Sequence, residues 1–300
     1  RVADAPGPEV LITALVHGNE YSGALALDAF LRSGLRPSRG RITGVFCNVA
    51  AFARFDPARP DASRFVDEDF NRVWSPEQLD GPRRSAELQR AREIRPLVER
   101  ATHLLDLHSM HEPCAPLLVT GTLPRNIAFA QALGAGGQVV MDQGHADGVR
   151  MRDYGPFGDP AGDRIALLLE AGQHWERASL QAARNVFMRF LVTAGALARS
   201  EVPFGWLLAD APAPAPLIVT LRGSSSQSPA LPFGAEASTV PVTPSCSLPE
   251  VSILPPLPPF GPPLASILPP NRVAWSAHTA MVPPWPFSLA LAVTVAPLAI

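Results

Sequence analysis

Residues 9–20 have the sequence EVLITALVHGNE, and this stretch decides the fold. Its first eight residues, Glu9–Val16, form a short apolar run bounded by Pro8 and by the polar His17-Gly18 pair. Such a run is typical of a strand buried on both faces of a sheet. Ser22–Ser33 follows with apolar residues at helical spacing, and Gly34 ends that segment. A buried strand that leads into a helix is the repeating unit of an α/β fold.

The same alternation continues on both sides of this unit to about residue 200. Further strands are predicted at Arg41–Asn48, His103–Leu107, Leu117–Thr120, Gln138–Met141 and Ile165–Glu170. Helices are predicted at Pro76–Ala101, with a break before Pro96 as an alternative, and at Arg125–Leu133 and Trp175–Leu197. The pattern predicts a doubly wound, mixed α/β sheet with helices on both faces. Residues 49–76 are predicted to form a long loop, and such a loop inside a compact domain is usually functional or disordered. Ligands of such sheets bind beyond the carboxyl ends of the strands.

Composition divides the chain near residue 200. Of the 34 prolines, 21 lie in residues 201–300, and only six of the 52 charged residues lie there. Proline, glycine and serine supply 36 of these hundred residues, a composition typical of disorder. We therefore expect a globular domain over residues 1–200 and a proline-rich segment over 201–300. Only Pro216–Leu221 and Ser288–Ala296 have strand character in that segment.

Charge and cysteine content exclude several classes of protein. All 25 basic residues are arginine, and with 27 acidic residues the formal net charge is −2, which predicts no nucleic-acid partner. Three scattered cysteines predict no disulfide framework. The apolar stretch Phe287–Ile300 contains Pro297 and is shorter than the roughly 20 residues that span a bilayer. No targeting signal is visible in the chain, and these features predict a cytoplasmic protein without a membrane partner. The chain opens at Arg1 without a methionine, so a signal peptide upstream of it stays an alternative.

Polar residues with metal-binding chemistry stand at the ends of three predicted strands. His17 and Glu20, three residues apart, follow the first strand, and His108 follows the strand His103–Leu107. Two histidines and one carboxylate form the open three-ligand set of catalytic zinc. Glu170 ends a third strand, where a carboxylate could take a proton from water. Each feature alone also has a structural interpretation, since His-x-x-Glu pairs are common and Glu170 could cap the next helix.

Several residues near these motifs have more than one possible role. His111 forms a His-x-x-His pair with His108, which is an alternative metal-binding pair. Asp106 could orient a zinc-binding histidine, and Tyr154 could contact substrate. His174 could contact a residue that binds the metal, or it could pack in the core. His103, Cys47 and Cys114 are expected to be structural, and the glycines at 134, 136 and 137 to form a turn.

Four motifs, in order, resemble those of the succinylglutamate desuccinylase/aspartoacylase family, which is related to the zinc carboxypeptidases. They are HGNE at residues 17–20, EDFNRVW at 68–74, DLHS at 106–109 and EAGQH at 170–174. The resemblance covers about residues 9–198. It implies one zinc ion bound by His17, Glu20 and His108, with Glu170 as general base and acid.

The same resemblance implies how substrate is held. Asn71 and Arg72 match a polar pair that binds the substrate, and Arg64 matches a second substrate arginine. A guanidinium group binds a carboxylate through two parallel hydrogen bonds, which suits a small carboxylate substrate. The implied activity is zinc-dependent hydrolysis of an N-acyl amino acid. The rival functions are a zinc carboxypeptidase acting on peptides and a non-catalytic protein that binds a carboxylate.

The segment beyond residue 200 departs from this family, whose members usually continue into a small β-rich domain. Prolines such as those at 255, 256, 258 and 259 cannot enter central strands. Two hypotheses explain the departure: a genuine proline-rich tail, or a reading frame lost near residue 200. Mass spectrometry of the natural protein distinguishes them, because peptides from residues 230–270 would contradict the second.

Overall fold

The described part of the computed structural model is a seven-stranded mixed sheet with helices on both faces. It comprises residues 1–145 and 147–212 and the backbone of residues 216–218. The strands are β1 (Glu9–Ala14), β2 (Arg41–Phe46), β3 (His103–Met110), β4 (Leu117–Val119), β5 (Gln138–Met141), β6 (Ile165–Gln173) and β7 (Pro216–Ile218). Their order is β2-β1-β3-β6-β4-β5-β7, and only the β4–β6 pair is antiparallel within this sheet.

Six α-helices connect these strands. They are α1 (Ser22–Arg32), α2 (Val49–Phe52), α3 (Pro76–Leu79), α4 (Ala86–Arg100), α5 (Pro124–Ala132) and α6 (Arg177–Thr193). Short 3-10 turns occur at Pro60–Ser63, Phe70–Arg72, Met151–Asp153, Gly155–Phe157 and Arg199–Glu201. No helix in the described ranges is both long and apolar enough to cross a membrane.

Two apolar layers cover the sheet, which confirms the predicted fold class. On one face, β1, β3 and β6 pack against α1, α5 and α6, and the rings of Phe30 and Phe187 meet edge to face at 5.1 Å. On the other face, Leu11 and Leu104 pack against α4. Alternate residues of one strand therefore face opposite layers, because the side-chain period of a strand is two. Burial on both faces explains the continuous apolar runs in the sequence.

The prediction of one continuous helix over Pro76–Ala101 is wrong. The structure has two helices, α3 and α4, separated by residues 80–85. Pro82 disfavours helical backbone at the preceding Gly81, and the Ser85 hydroxyl then caps α4 by accepting from the Leu88 amide at 3.0 Å. Pro96, where a break was expected, lies inside α4.

Two strands are longer than their apolar runs, so the expectation that the candidate residues follow the strands needs correction. β3 continues through His108 to Met110, and β6 continues through Glu170 to Gln173. Parallel pairing persists because His108 is the register partner of Glu170, and an irregularity begins only after that pair. Both side chains consequently project from regular strand backbone.

The remaining differences concern irregular segments. Residues 49–76 are not a continuous loop but contain α2, two 3-10 turns and the start of α3. Pro216–Ile218 is a strand, within the predicted Pro216–Leu221. The predicted strand Ser288–Ala296 and most of the proline-rich segment lie outside the described residues.

Candidate active site

Three neighbouring strands bring the candidate residues together. β1, β3 and β6 are adjacent in the sheet, and they deliver the HGNE turn, His108 and Glu170 to the same edge. The chain bends after β1 at Leu15, whose φ of 56° lies in the left-handed region that a non-glycine residue rarely adopts. Such backbone outliers concentrate at functional sites. The bend carries His17 and Glu20 across the strand ends toward β3.

The side chains of His17, Glu20 and His108 form one compact, buried group. Glu20 Oε1 lies 2.7 Å from His17 Nδ1, and Glu20 Oε2 lies 2.9 Å from His108 Nδ1. One ligand atom from each residue falls within 4.8 Å of the others, so the group could hold a metal ion. Two imidazole nitrogens and one carboxylate oxygen are the donor set of catalytic zinc sites.

The outer nitrogen of each histidine is held by another carboxylate. His17 Nε2 lies 3.0 Å from Asp69 Oδ1, and His108 Nε2 lies 2.8 Å from Asp106 Oδ2. Asp106 is itself fixed by the Thr13 hydroxyl, which donates to Oδ1 at 2.6 Å. Histidines that bind metals usually make such a contact, which orients the ring and leaves the inner nitrogen to the ion. The residues present therefore fit a metal.

Asp69 was missed in the sequence, although it lies inside the EDFNRVW motif. Its role depends on the loop folding back onto the HGNE turn, and the backbone amide of Gly18 donates to Arg64 O at 3.0 Å in that contact. Gly18 is required there, because a Cβ atom would approach Ser63 O to 2.3 Å. The spacing of residues along the sequence does not reveal this contact between the loop and the HGNE turn.

Mutual electrostatics set the ionisation of the group in the metal-free protein. Burial alone would raise the pKa of Glu20, but the rings of His17 and His108 lower it well below its usual range. Burial alone would lower the pKa of His108, but Asp106 and Glu20 raise it well above its usual range. The raised pKa of His108 favours the imidazolium form of its ring, whereas a metal ion binds only the neutral imidazole.

Metal binding is expected to release protons, and to release more of them at lower pH, because the metal binds only neutral imidazole. The raised pKa of His108 gives the sign: affinity increases with pH until that pKa is passed. Titration calorimetry with Zn²⁺ in two buffers of different ionisation enthalpy measures the released protons. An affinity that stays constant between about pH 6 and 8 would contradict the assignment of His108.

Glu170 lies beside this group with one carboxylate oxygen free. Its Oε2 atom is buried and has no hydrogen-bond partner among the described residues. Burial, reinforced by the negative charge of Glu20, raises the pKa of Glu170 to about 8, although His108, Arg64 and Arg150 oppose the shift. A carboxylate with a raised pKa and an unpartnered oxygen is suited to accept and return a proton near neutral pH.

The predicted substrate residues converge on the same site. We call residues 60–72 the arginine loop. Arg64 contacts Glu20 Oε1 at 3.4 Å and Asp69 Oδ2 at 3.2 Å, and its buried Nε atom has no partner in the part of the chain that the structure describes. The Asn71 side-chain nitrogen lies 3.5 Å from His108 Nε2, while its oxygen accepts from the Met151 amide at 3.0 Å. Arg72 donates to Asn71 O at 2.8 Å.

A further arginine, Arg150, was not predicted. It is buried, forms an ion pair with Asp142, and its charge acts on both Arg72 and Glu170. Asp142 also binds the buried Arg152 at 2.8 Å. The only sequence signal was the pair of arginines in Val149–Arg152, shortly after β5, where ligand-binding residues are expected.

Three other histidines, His103, His111 and His174, lie outside the group His17–Glu20–His108. His111 is exposed and contacts Asp61 at 3.4 Å. His174 is buried, and its Nδ1 atom lies 2.9 Å from the hydroxyl of Ser109. The backbone amide of Ser109 donates to Glu20. His103 packs against Phe129 and Phe190, in accordance with a structural role.

Tyr154, Cys47 and Cys114 have surroundings typical of structural residues. Tyr154 is buried beside Trp74, and its hydroxyl donates to Glu99 at 2.8 Å, so it does not face the metal group. Cys47 is buried and Cys114 is half-buried, and both are free thiols whose pKa is raised by burial. A raised pKa disfavours the thiolate, which agrees with a structural interpretation.

Comparison with known proteins gives one family. Residues 6–191 match the model of the succinylglutamate desuccinylase/aspartoacylase catalytic domain. No curated protein matches the chain in sequence.

Several solved structures share the fold. A succinylglutamate desuccinylase/aspartoacylase from Rhodobacter sphaeroides is 20% identical, with a TM-score of 0.54 over 73% of this chain and 65% of that protein. A protein of the same description from Shewanella frigidimarina is 15% identical, with a TM-score of 0.55 over 73% of this chain and 70% of that protein. The ectoine utilization protein EutE (DoeB) from Ruegeria pomeroyi is 20% identical, with a TM-score of 0.51 over 74% and 64%. The chain thus spans 65% of the length of the first relative and 64% of the third.

Proposed function

This chain belongs to the succinylglutamate desuccinylase/aspartoacylase family, whose members are hydrolases, and from that premise we propose that it is a zinc-dependent deacylase. Its substrate is an N-acyl amino acid or a similar small carboxylate, whose amide bond it cleaves. The observation that carries the proposal is the buried group His17–Glu20–His108 beside the unpartnered Oε2 of Glu170. Residues 1–200 are proposed as the catalytic domain.

His17, Glu20 and His108 would hold one Zn²⁺ ion per chain. Bound zinc polarises a carbonyl group and lowers the pKa of water toward about 7. Asp69 and Asp106 keep the two imidazole rings oriented with Nδ1 inward. The buried position excludes bulk water and strengthens every charge interaction in the site.

Glu170 is proposed to move the proton. Its free Oε2 atom accepts a proton from the attacking water as the water oxygen bonds to the amide carbon. The same carboxyl group then donates that proton to the amide nitrogen, so that the carbon–nitrogen bond breaks and a neutral amine leaves. A pKa of about 8 suits Glu170 both to accept the proton from water and to donate it to the amide nitrogen, because the group gains and loses its proton near neutral pH.

Arg64, Asn71 and Arg72 are proposed to bind the carboxylate and to place the scissile bond. Arg72 uses one guanidinium nitrogen on Asn71 O, which leaves other donors for a ligand. Burial lowers the pKa of Arg72; the charge of Asp69 opposes this shift, while Arg150 and Arg64 add to it, so a substrate carboxylate here would add to the stabilisation that Asp69 supplies. A cytoplasmic location is part of the proposal and is supported by the free thiols of Cys47 and Cys114.

A panel of N-acyl amino acids, the corresponding methyl esters and short peptides tests this function in zinc-loaded protein. We expect hydrolysis of free-carboxylate N-acyl amino acids and little turnover of their esters. In Arg72→Gln, KM should rise about tenfold or more, because a charge-assisted hydrogen bond contributes roughly 1.5–3 kcal/mol. Arg59→Gln is the matched control, since Arg59 is an exposed arginine paired with Asp56.

Each remaining outcome would indicate a different function. Preferential cleavage of peptides would indicate a carboxypeptidase, whose metal chemistry is the same. Saturable binding of N-acyl amino acids without turnover would indicate a non-catalytic carboxylate-binding protein. Equal KM values for the Arg72→Gln variant and the wild type would remove Arg72 from the substrate site.

A further inference from the structure

The arginine loop is fixed to the rest of the protein by a buried carboxylate that plays no part in the mechanism above. Glu87 lies in the first turn of α4 and is fully buried. Its carboxylate accepts from three consecutive backbone amides of the loop, those of Val66, Asp67 and Glu68, at 2.7, 3.1 and 3.2 Å. The side-chain nitrogen of Asn48 donates to the same group at 2.9 Å.

The contact is reciprocal. Asp67 Oδ2 accepts from the Ala86 amide at 2.7 Å, so a loop carboxylate binds the first free amide of the helix while the helix carboxylate binds the loop. Unpaired amides at a helix start attract negative charge, which favours both carboxylates here. Leu88 and Ile94 anchor α4 to the sheet, so the loop is tied to a rigid element.

The three amides lie between the residues that the proposed mechanism needs. Arg64 precedes Val66 by two residues, and Asp69 follows Glu68 directly. Arg64 contacts Glu20, and Asp69 contacts His17, so a displacement of residues 66–68 would move a substrate arginine and the support of a metal ligand together.

Energetics keep the loop in this position. A buried carboxylate without donors is very unfavourable, and charge-assisted hydrogen bonds are about twice as strong as neutral ones. Three of the four donors to Glu87 come from the loop backbone. Moving the loop would therefore leave the Glu87 charge without most of its partners.

We infer that Glu87 is a positioning residue for substrate binding: it holds residues 66–68 so that Arg64, Asn71 and Arg72 face the metal group. The loop is thus a fixed wall of the site, rather than a flap that closes over substrate. The part of the inference that concerns substrate rests on the proposed function, whereas the part that concerns the loop does not.

The test compares Glu87→Gln with Glu93→Gln in the full-length, zinc-loaded protein. Glutamine keeps the shape of Glu87 but loses the charge and offers one oxygen to three amides. Glu93 lies on the same helix, is exposed and contacts only Arg90 among the ion pairs of the described residues, so it is a matched control. The readouts are hydrogen exchange at the amides of residues 66–68, KM and kcat for an N-acyl amino acid, and bound zinc.

In Glu87→Gln we expect exchange protection at residues 66–68 to fall at least about tenfold. KM should rise about tenfold with a smaller change in kcat, and zinc should stay near one per chain, because the ligands themselves remain. Glu93→Gln should match the wild type in every readout. If Glu87→Gln does not fold, Asp67→Asn weakens the same contact from the loop side and should show the same pattern, with smaller changes.

Unchanged protection at residues 66–68 would overturn the inference, and so would lost protection with an unchanged KM, since that is the pattern of a purely structural residue. Wild-type protein that hydrolyses no N-acyl amino acid would instead contradict the proposed function. The exchange rates would still decide in that case whether Glu87 holds the loop.

Discussion

Replacing Glu170 by glutamine is expected to lower kcat about 10³-fold, within the range that general acid–base catalysis usually contributes. Glutamine keeps the shape of the side chain but can neither accept the proton of the attacking water nor return it to the leaving amine. The three proposed metal ligands are unchanged, so the variant should fold and bind about one zinc ion. The loss should fall on kcat much more than on KM, because the proton transfer occurs only after substrate is bound.

Steady-state kinetics over a range of pH check this expectation, with Glu176→Gln as the control. Glu176 lies exposed just beyond β6, six residues after Glu170. The wild-type rate should decline as the pH falls, because a protonated Glu170 cannot act as a base, and burial places that decline above the usual pKa of glutamate. A Glu170→Gln variant with more than about a tenth of the wild-type kcat would exclude Glu170 as the general base.

The His108→Ala variant is expected to lose its bound metal almost completely. Two ligands would remain from His17 and Glu20, whereas catalytic zinc is held by three protein ligands. The substitution also lowers the free energy of unfolding, because Asp106 and Glu20 would keep their buried charges after the ring they contact has gone. Elemental analysis of purified, folded protein should find about one zinc per wild-type chain and close to none in the variant.

His111→Ala is the control for this experiment and also tests the alternative ligand. His111 lies three residues further along the chain, and its side chain is exposed. It should retain full metal content. Zinc retained by His108→Ala but lost from His111→Ala would overturn the ligand set, and no zinc in folded wild-type protein would contradict the zinc-dependent function.

The sequence predicted the sheet well because burial on both faces leaves a strong local signal. β1 and β2 were predicted from apolar runs bounded by proline, glycine and polar residues, and the predicted bounds lie within two residues of the observed ones. Interruptions were harder, since Pro96 lies inside α4 while the actual break falls at residues 80–85. Composition could not distinguish the two sites, because the break depends on how Ser85 begins a new helix.

For the site, local spacing revealed the residues that belong to motifs and missed those that act across the fold. His17, Glu20, His108 and Glu170 follow or end predicted strands, so sheet topology alone brings them near one another. Glu87 had no such signal, because its partners are backbone amides about 20 residues away on a loop without periodicity. Every residue except proline has a backbone amide, so the pattern of side chains in a sequence does not indicate which amides will bind Glu87.

The position of β1, β3 and β6 in the sheet has a kinetic consequence. The paired residues Thr13 and Asp106, on β1 and β3, are 93 residues apart in sequence, so their strands meet only after a long stretch of chain has been ordered. Closing so long a stretch of chain is costly in entropy, so pairings of this kind slow folding. The metal group is therefore complete only in the nearly native protein, and an ion bound to it would lengthen the lifetime of the native state without hastening its formation. Metal supply would then govern how long each folded molecule survives, rather than how quickly new chains fold.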